Sequence, residues 1–255
     1  MEIQVHNLLK QYQGNTILDN LSFNIGNKQS IAIVGPSGGG KTTLIRCLVG
    51  LESFHKGDVE YIDSQLDESI KIGSIPYGYL FRENIVGFVP QISCLWPYKT
   101  ILENLTIPLN LRCPNKKLEY ENSALNYLDK FGLLGKEHKF PIQLSSGQQQ
   151  RVSLIRALML NPKILFLDEV TSALDVENAF LIAKFLNENI VKRRTIIFVT
   201  HNMDFAKAIA DQIIFIESGK VIENISCSHF FSKENNNRSY HFLKKTRILL
   251  DQDRG

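Results

Sequence analysis

The chain has 255 residues, of which 44% are hydrophobic and 22% are charged, and this composition is typical of a globular protein with room for one large α/β domain. Its formal net charge of +3 comes from scattered lysines and arginines and is too small to indicate a nucleic-acid-binding protein. The four cysteines lack C-x-x-C spacing, so they indicate neither a zinc site nor a disulfide framework, and a reducing compartment fits best. No apolar run approaches the roughly 20 residues of a membrane span.

The N-terminal part predicts β-structure. Residues 2–8 and 18–26 alternate apolar and polar side chains, which predicts two antiparallel strands. No signal-peptide apolar region precedes them, so we expect the chain to remain in the cytoplasm. The apolar run at residues 30–34 predicts a buried strand, and residues 43–48 predict a helix that ends at Gly50.

A phosphate-binding loop lies between this strand and this helix. The sequence Gly-Pro-Ser-Gly-Gly-Gly-Lys-Thr fits the pattern G-x-x-x-x-G-K-[ST], whose glycines let backbone N–H groups surround an anion. The helix N-terminus adds positive partial charge. Lys41 is expected to reach the β- and γ-phosphates, and the Thr42 hydroxyl to bind Mg²⁺. The predicted nucleotide contacts are Gly35, Pro36, Ser37, Gly38, Gly39, Gly40, Lys41, Thr42 and Thr43.

The middle of the chain changes from strands to helices. A short strand is predicted at residues 58–62, a surface excursion at 63–84 and an apolar strand at 85–89. Helical periodicity then predicts helices at residues 101–109, 118–131 and 148–160. These helices suggest an α-helical insertion within an α/β framework.

Strands and helices alternate again in the C-terminal half. Strands are predicted at residues 164–167, 195–199 and 213–216, with helices at 176–191 and 204–210. This alternation predicts a parallel, doubly wound sheet that binds ligands at the carboxyl ends of its strands. After residue 228 we expect a loop at 235–237 and an amphipathic stretch at 240–250.

Two adjacent carboxylates follow the strand at residues 164–167. The carboxyl end of this strand is expected beside the phosphate loop, where Asp168 can hold Mg²⁺ and Glu169 can orient or deprotonate the attacking water. The alternative is a strand that ends in two solvated acids.

Gln91 and His201 occupy similar positions after two other predicted strands. The Gln91 side chain can ligate Mg²⁺ through its carbonyl oxygen or bind the attacking water through its amide, and His201 can donate a hydrogen bond to the γ-phosphate. Taken alone, a histidine such as His201 is more often a loop residue without a role, and Gln91 is an undistinguished loop residue.

A second predicted anion-binding helix terminus begins near residue 145. Ser145 or Ser146 is a natural N-cap, and the free N–H groups around Gly147 and Gln148 can bind an anion. An ordinary capped helix is the alternative.

Six motifs in order make the sequence similar to the ATP-binding subunits of ATP-binding cassette (ABC) transporters. They are the phosphate loop, Gln91 after Phe-Val-Pro, Leu144–Arg151, Ile164–Glu169, Ser172–Asp175 and His201. The resemblance extends over residues 1–250 and implies a P-loop NTPase of ABC type, with a mixed sheet core, an N-terminal antiparallel β part and an inserted α-helical subdomain. It also implies that Tyr12 stacks on adenine.

The resemblance implies one nucleotide-binding domain spanning residues 1–250. Its RecA-like core is expected at about 1–90 and 161–225, its helical subdomain at about 92–160 and a helical tail at about 226–255.

A head-to-tail dimer with two bound ATP molecules is the assembly that the resemblance implies. The phosphate loop of one subunit then faces Ser145, Ser146, Gly147 and Gln148 of the other, and Asp175 reaches across the same contact. Glu169 is the expected base, and Thr42, Gln91 and Asp168 are the expected Mg²⁺ ligands.

The resemblance implies further partners, namely integral membrane permease subunits and an extracytoplasmic solute-binding protein. It does not imply nucleic acid as a partner. Permease contact is expected near residues 91–111, at the cytoplasmic face of the inner membrane. Leu95-Trp96-Pro97-Tyr98 fits such a contact or, equally, local packing.

Within the family, the sequence most resembles importers of polar amino acids of the glutamine, histidine and arginine type. The alternatives are a lipoprotein-releasing or export-type ATPase and a scaffold or regulatory cassette that does not transport. Two residues depart from the family pattern: Ser146 replaces a glycine and Val170 replaces a proline. We expect both changes to slow ATP hydrolysis or to make it more dependent on partners, because they alter backbone freedom near the site.

Overall fold

Two β-sheets organise the fold. The computed structural model describes residues 1–63, 68–232 and 238–244. The strands are β1 (Glu2–Tyr12), β2 (Asn15–Ile25), β3 (Ser30–Val34), β4 (Lys56–Asp63), β5 (Glu68–Lys71), β6 (Val86–Val89), β7 (Ile164–Asp168), β8 (Thr195–Val199), β9 (Gln212–Glu217) and β10 (Lys220–Ser226). The helices are α1 (Lys41–Leu48), α2 (Tyr79–Arg82), α3 (Ile101–Asn110), α4 (Lys117–Lys130), α5 (Ser146–Met159), α6 (Val176–Asn189), α7 (Met203–Ile209) and α8 (Cys227–Phe230). Short 3-10 turns occupy Pro114–Lys116 and Pro141–Gln143, and residues 238–244 are helical.

The larger sheet has the strand order β10-β9-β3-β8-β7-β6. Every neighbouring pair in it is parallel except β9 with β10. The predicted parallel sheet is therefore confirmed, with one antiparallel strand added at its edge. Because β3, β8, β7 and β6 are neighbours, the residues that follow their carboxyl ends come together at one edge of the sheet.

The smaller sheet is antiparallel, in the order β2-β1-β4-β5. Its β1–β2 pair is the predicted N-terminal pair, extended to Tyr12 and Asn15 at the turn. The apolar face of this sheet packs on α1, and the Tyr61 hydroxyl donates a 2.8 Å hydrogen bond to the Leu48 carbonyl at the end of that helix. This packing fixes the end of β1 beside the loop that precedes α1.

The three longest helices between β6 and β7 form the predicted helical insertion, and α3 packs on both α4 and α5. The preceding loop is fixed by Asn104, which is fully buried in α3. Its Oδ1 accepts from the Trp96 N–H at 2.8 Å, and its Nδ2 donates to the carbonyls of Trp96, Lys99 and Thr100 at 3.0–3.1 Å. The backbone of this loop is therefore held by local hydrogen bonds, while Trp96 remains 41% exposed.

Three short elements were not predicted. Strand β5 and helix α2 lie within the expected surface excursion, and neither presents a strong apolar period, since Leu80 is the only buried residue of the four in α2 and β5 has none. Strand β10 has no fully buried residue, because it is an edge strand with charged side chains.

The structure describes only part of the C-terminal tail for which two features are predicted. The expected loop at 235–237 and residues 245–250 of the expected amphipathic stretch lie outside the described residues. The described part of that stretch is helical and is held by Ser239, whose N–H donates to Glu223 at 3.0 Å. Among the described helices, none has the length and apolarity needed to cross a membrane.

Candidate functional site

A cleft of about 330 Å³ opens at the carboxyl edge of the larger sheet. Its walls come from the phosphate loop, from the end of β1 and from the residues after β7 and β8. The lining residues are Tyr12, Ile17, Ser37, Gly38, Gly39, Gly40, Lys41, Thr42, Thr43, Glu169 and His201. Most residues that the sequence predicted for one nucleotide site therefore share one cavity.

The phosphate loop is shaped by Gly40, which precedes α1 in a left-handed conformation with φ +91°. A Cβ at this position would also lie only 2.8 Å from the Ile17 carbonyl oxygen, so both the dihedral angle and the available space require glycine. The backbone N–H groups at the start of α1 have no partner earlier in the helix, which gives the loop its capacity to bind an anion.

Lys41 is 5% exposed, and its Nζ donates to the carbonyls of Gly35 and Pro36 at 2.9 and 2.7 Å. Burial lowers the pKa of its ammonium group, and the nearby carboxylates of Glu169 and Asp168 act in the opposite direction. The ammonium is thus held inside its own loop, close to where a phosphate would bind.

Thr42 and Asp168 form a second pair in the cleft floor. The Thr42 hydroxyl donates to Asp168 Oδ1 at 3.1 Å, and Asp168 is only 1% exposed. Burial raises the pKa of Asp168, whereas the hydrogen bond from Thr42 opposes that shift. A hydroxyl and a carboxylate oxygen are the kind of hard donors that Mg²⁺ prefers.

The Glu169 carboxylate is held between two other strand ends. Its Oε2 accepts from Gln91 Nε2 at 2.9 Å, and its Oε1 lies 3.0 Å from His201 Nε2. The Glu169 backbone has a left-handed φ of +49° and donates through its N–H to the Val199 carbonyl at 3.0 Å. Gln91 therefore contacts the carboxylate through its amide, and His201 faces the same carboxylate from the opposite oxygen.

Tyr12 lies at the end of β1 and is 43% exposed in the cleft. The Nζ of Lys10 lies 4.7 Å from the centroid of its ring. Lys10 and Ile17 are two contributors to this region that the sequence reasoning missed. The sequence signal for Lys10 is its spacing from Tyr12, because residues two apart on a strand share one face.

The predicted second helix terminus is outside this cleft. Ser145 caps α5, and its side-chain oxygen accepts from the Gln148 N–H at 3.3 Å. Ser146 is exposed in the first helical turn and has no positive φ, so serine causes no backbone strain in place of glycine. Gly147 packs tightly, because a Cβ there would lie 2.8 Å from the Ala173 carbonyl oxygen.

Asp175 follows this contact and is also outside the cleft. Its Oδ1 accepts from the Asn178 N–H at 2.8 Å and caps α6. Because Gly147 packs against Ala173, the start of α5 and the segment that leads to Asp175 are neighbours within one chain. Val170 lies in the core at 2% exposure, directly after Glu169.

Known proteins resemble this chain over nearly its whole length. A sequence model of the family described as "ABC transporter" matches residues 18–172. The chain is 38% identical to a probable amino-acid ABC transporter ATP-binding protein of Haemophilus influenzae, over 98% of each protein. It is 37% identical to the arginine transport ATP-binding protein ArtM of Bacillus subtilis, over 95% of this chain and 99% of the relative. It is 36% identical to the glutamine transport ATP-binding protein GlnQ of Geobacillus stearothermophilus, over 95% and 98% of the two chains.

Solved structures show the same fold. The chain superimposes on a dimeric post-hydrolysis state of the ATP-binding cassette MJ0796 bound to ADP and Pi, with a TM-score of 0.77 and 31% sequence identity. The match covers 88% of this chain and 98% of the other. A second dimeric structure of the same cassette gives a TM-score of 0.78.

Proposed function

Because the chain belongs to the ABC transporter family and is one of its ATP-binding ATPases, we propose that it powers the import of polar amino acids through a membrane permease. The similarity over nearly the full length of arginine and glutamine transport subunits supports this substrate class. The observation that carries the ATPase chemistry is the Glu169 carboxylate, held by Gln91 and His201 at the mouth of the cleft.

In the proposed reaction, the phosphate loop and Lys41 bind the phosphates, and Tyr12 stacks on adenine. Glu169 accepts a proton from the attacking water, because its carboxylate lies in the cleft beside the phosphate loop. Gln91 donates a 2.9 Å hydrogen bond to one oxygen of this carboxylate, and His201 Nε2 lies 3.0 Å from the other, so both side chains fix its direction. Without Mg²⁺, two supports at separate oxygens keep it in one orientation.

The donor set fits Mg²⁺, since the Thr42 hydroxyl and the buried Asp168 carboxylate already lie 3.1 Å apart. We assign Thr42, Asp168 and the side-chain oxygen of Gln91 as its ligands. When bound, the ion neutralises negative charge on the phosphates. Turning Gln91 toward the ion would release its amide from Glu169, and His201 would then be the side chain that orients the carboxylate.

We propose that the working unit is a homodimer, as the dimeric structures of the related cassette support. The start of α5 and Asp175 are absent from the cleft of their own chain, which leaves Ser145, Ser146, Gly147 and Gln148 available to a partner's phosphates. Asp175 would then lie at the same contact. An isolated monomer should bind ATP and hydrolyse it poorly.

A groove beside Gln91 is the proposed docking site for the permease. It measures about 250 Å³ and includes Phe81, Phe88, Cys94 and Trp96 among its mostly apolar walls. The Arg156 guanidinium lies 5.5 Å from the Trp96 ring centroid and donates to the Cys94 carbonyl at 2.8 Å. An apolar permease segment with an acidic or carbonyl-bearing end would match this lining. Docking there places the chain at the cytoplasmic face of the membrane.

Maleimide labelling of native cysteines tests the docking site. Cys94 and Cys113 are both exposed, and only Cys94 lines the groove. Assembly with the permease should protect Cys94 and leave Cys113 reactive. If assembly with the permease left the labelling of Cys94 unchanged, as it should leave that of Cys113, the docking site would be refuted.

The proposed function is tested by reconstituting the complex purified on this subunit into vesicles, with ATP supplied on the side of the subunit. We expect a bound extracytoplasmic protein that recognises a polar amino acid, and uptake of that amino acid coupled to phosphate release. Glu169→Gln should abolish both, whereas Glu188→Gln, at an exposed position on α6, should leave both intact. ATP turnover that survives Glu169→Gln would refute the assigned base, and export in place of uptake would refute the transport direction.

A further inference from the structure

Lys10 is a buried lysine beneath the proposed adenine site. Its side chain is 7% exposed, and its Nζ donates to the Ser53 carbonyl at 2.6 Å and lies 3.1 Å from Glu52 Oε1. The same Nζ lies 4.7 Å from the centroid of the Tyr12 ring. Burying a lysine is unfavourable unless its charge and its N–H donors have partners, and these three contacts supply them.

The contacts of Lys10 connect the end of β1 with the loop that follows α1, 43 residues further along the chain. Glu52 and Ser53 follow α1, and the Glu52 N–H donates to the Arg46 carbonyl in that helix at 3.2 Å. The next part of this loop runs along β1, where the His55 N–H donates to the Leu9 carbonyl at 2.8 Å. Lys10 therefore joins the ring of Tyr12 to the segment anchored on the phosphate-loop helix.

We propose that Lys10 is a positioning residue for nucleotide binding, acting through Tyr12; this inference rests on the proposed function, in which Tyr12 stacks on adenine. The ammonium lies within the distance at which a cation is attracted to the face of an aromatic ring. It occupies one face of the ring, so the other face is available to the base. The ring has no other charged neighbour of this kind among the described residues, and Glu52 keeps the ammonium in place.

Calorimetric titration of the full-length chain tests the proposal, with ATP and base-free tripolyphosphate as ligands and with Mg²⁺ removed to prevent turnover. Lys10→Met should weaken ATP binding by about threefold to tenfold, the size expected when a cation–π contact is lost. Tripolyphosphate binding should be unchanged, since it does not touch the ring. In a Tyr12→Leu background, Lys10→Met should cause no further loss of ATP affinity.

Two further variants control the experiment. Lys71→Met removes a lysine from the same sheet that is half exposed and paired with Asp58 at 2.6 Å, and it should change neither titration. Glu52→Gln keeps the cation but removes the carboxylate that holds it, so it should weaken ATP binding in the same direction and less strongly. This variant carries the test if Lys10→Met fails to fold.

The outcomes separate the inference from the function on which it rests. Unchanged ATP affinity in Lys10→Met, equal weakening of both ligands, or a full additional loss in the Tyr12→Leu background would each overturn the role of Lys10. If Tyr12→Leu itself left ATP affinity unchanged, the adenine site would be refuted first. A loss confined to ATP and absent without Tyr12 supports the proposal.

Discussion

Replacing Asn104 tests whether one buried amide holds the loop that borders the proposed permease groove. The Asn104 oxygen accepts one hydrogen bond, and its two amide hydrogens serve three carbonyl oxygens, all within residues 96–100. Counting three hydrogen bonds at about 1 kcal/mol each, Asn104→Ala should lower the free energy of unfolding by about 3 kcal/mol. Asn104→Asp should be at least as harmful, because it keeps the acceptor but turns a carboxylate toward carbonyl oxygens.

The assay is urea unfolding followed by circular dichroism, with tryptophan emission as a second signal. Trp96 is the only tryptophan of the chain, so its emission reports on this loop alone, and we expect a red shift in Asn104→Ala. Asn110→Ala is a matched control on the same helix, because the buried Oδ1 of Asn110 has no hydrogen-bond partner among the described residues. If the two alanine variants lost equal stability, or if Asn104→Asp were as stable as the unaltered chain, the reasoning would be refuted.

Three further predictions concern the cleft and the start of α5. His201→Ala should reduce phosphate release by the assembled complex by about 100-fold, since it removes one of the two groups that orient Glu169; retention of more than half of the turnover would contradict this. Asp168→Asn should raise the free energy of unfolding at pH 7 without nucleotide or Mg²⁺, because burial raises the pKa of Asp168 and ionisation above that pKa therefore opposes folding. This advantage should vanish below the ordinary carboxyl pKa, where Asp168 is protonated in both the folded and the unfolded state. Urea unfolding at pH 7 and pH 3 measures the two free energies, and a variant that is less stable than the unaltered chain at pH 7 would contradict the prediction. Ser146→Gly should lower the free energy of unfolding by about 0.5 kcal/mol, because Ser146 is already helical and glycine loses more backbone entropy on folding. If urea unfolding showed a higher free energy of unfolding for this variant, serine would be strained there.

The strands that carry the site were predictable because each is a short apolar run followed by polar residues. The runs before Gln91, Asp168 and His201 share this pattern, and parallel pairing alone brings their ends together. The phosphate loop needed no tertiary information either, since its glycines and its helix are local in sequence.

Other features depend on contacts between distant residues and leave little local signal. Lys10 meets Glu52 only after β1 and the loop that follows α1 have packed together. Strand β10 pairs with β9 through its backbone and shows no buried side chain that a pattern could reveal. The contacts of Gln91 and His201 with Glu169 are likewise distances between side chains, which strand order predicts only as proximity.

The cap of α6 would give the proposed dimer assembly an energetic cost. The Asp175 carboxylate accepts from both the N–H and the side-chain amide of Asn178 in its own chain. Any partner contact that draws this carboxylate away leaves the first turn of α6 without its cap, at a cost of about 1 kcal/mol. Association of two subunits and fraying of this helix are then thermodynamically linked, so a mutation that only loosens the first turn of α6 would make the dimer easier to form and the monomer less stable.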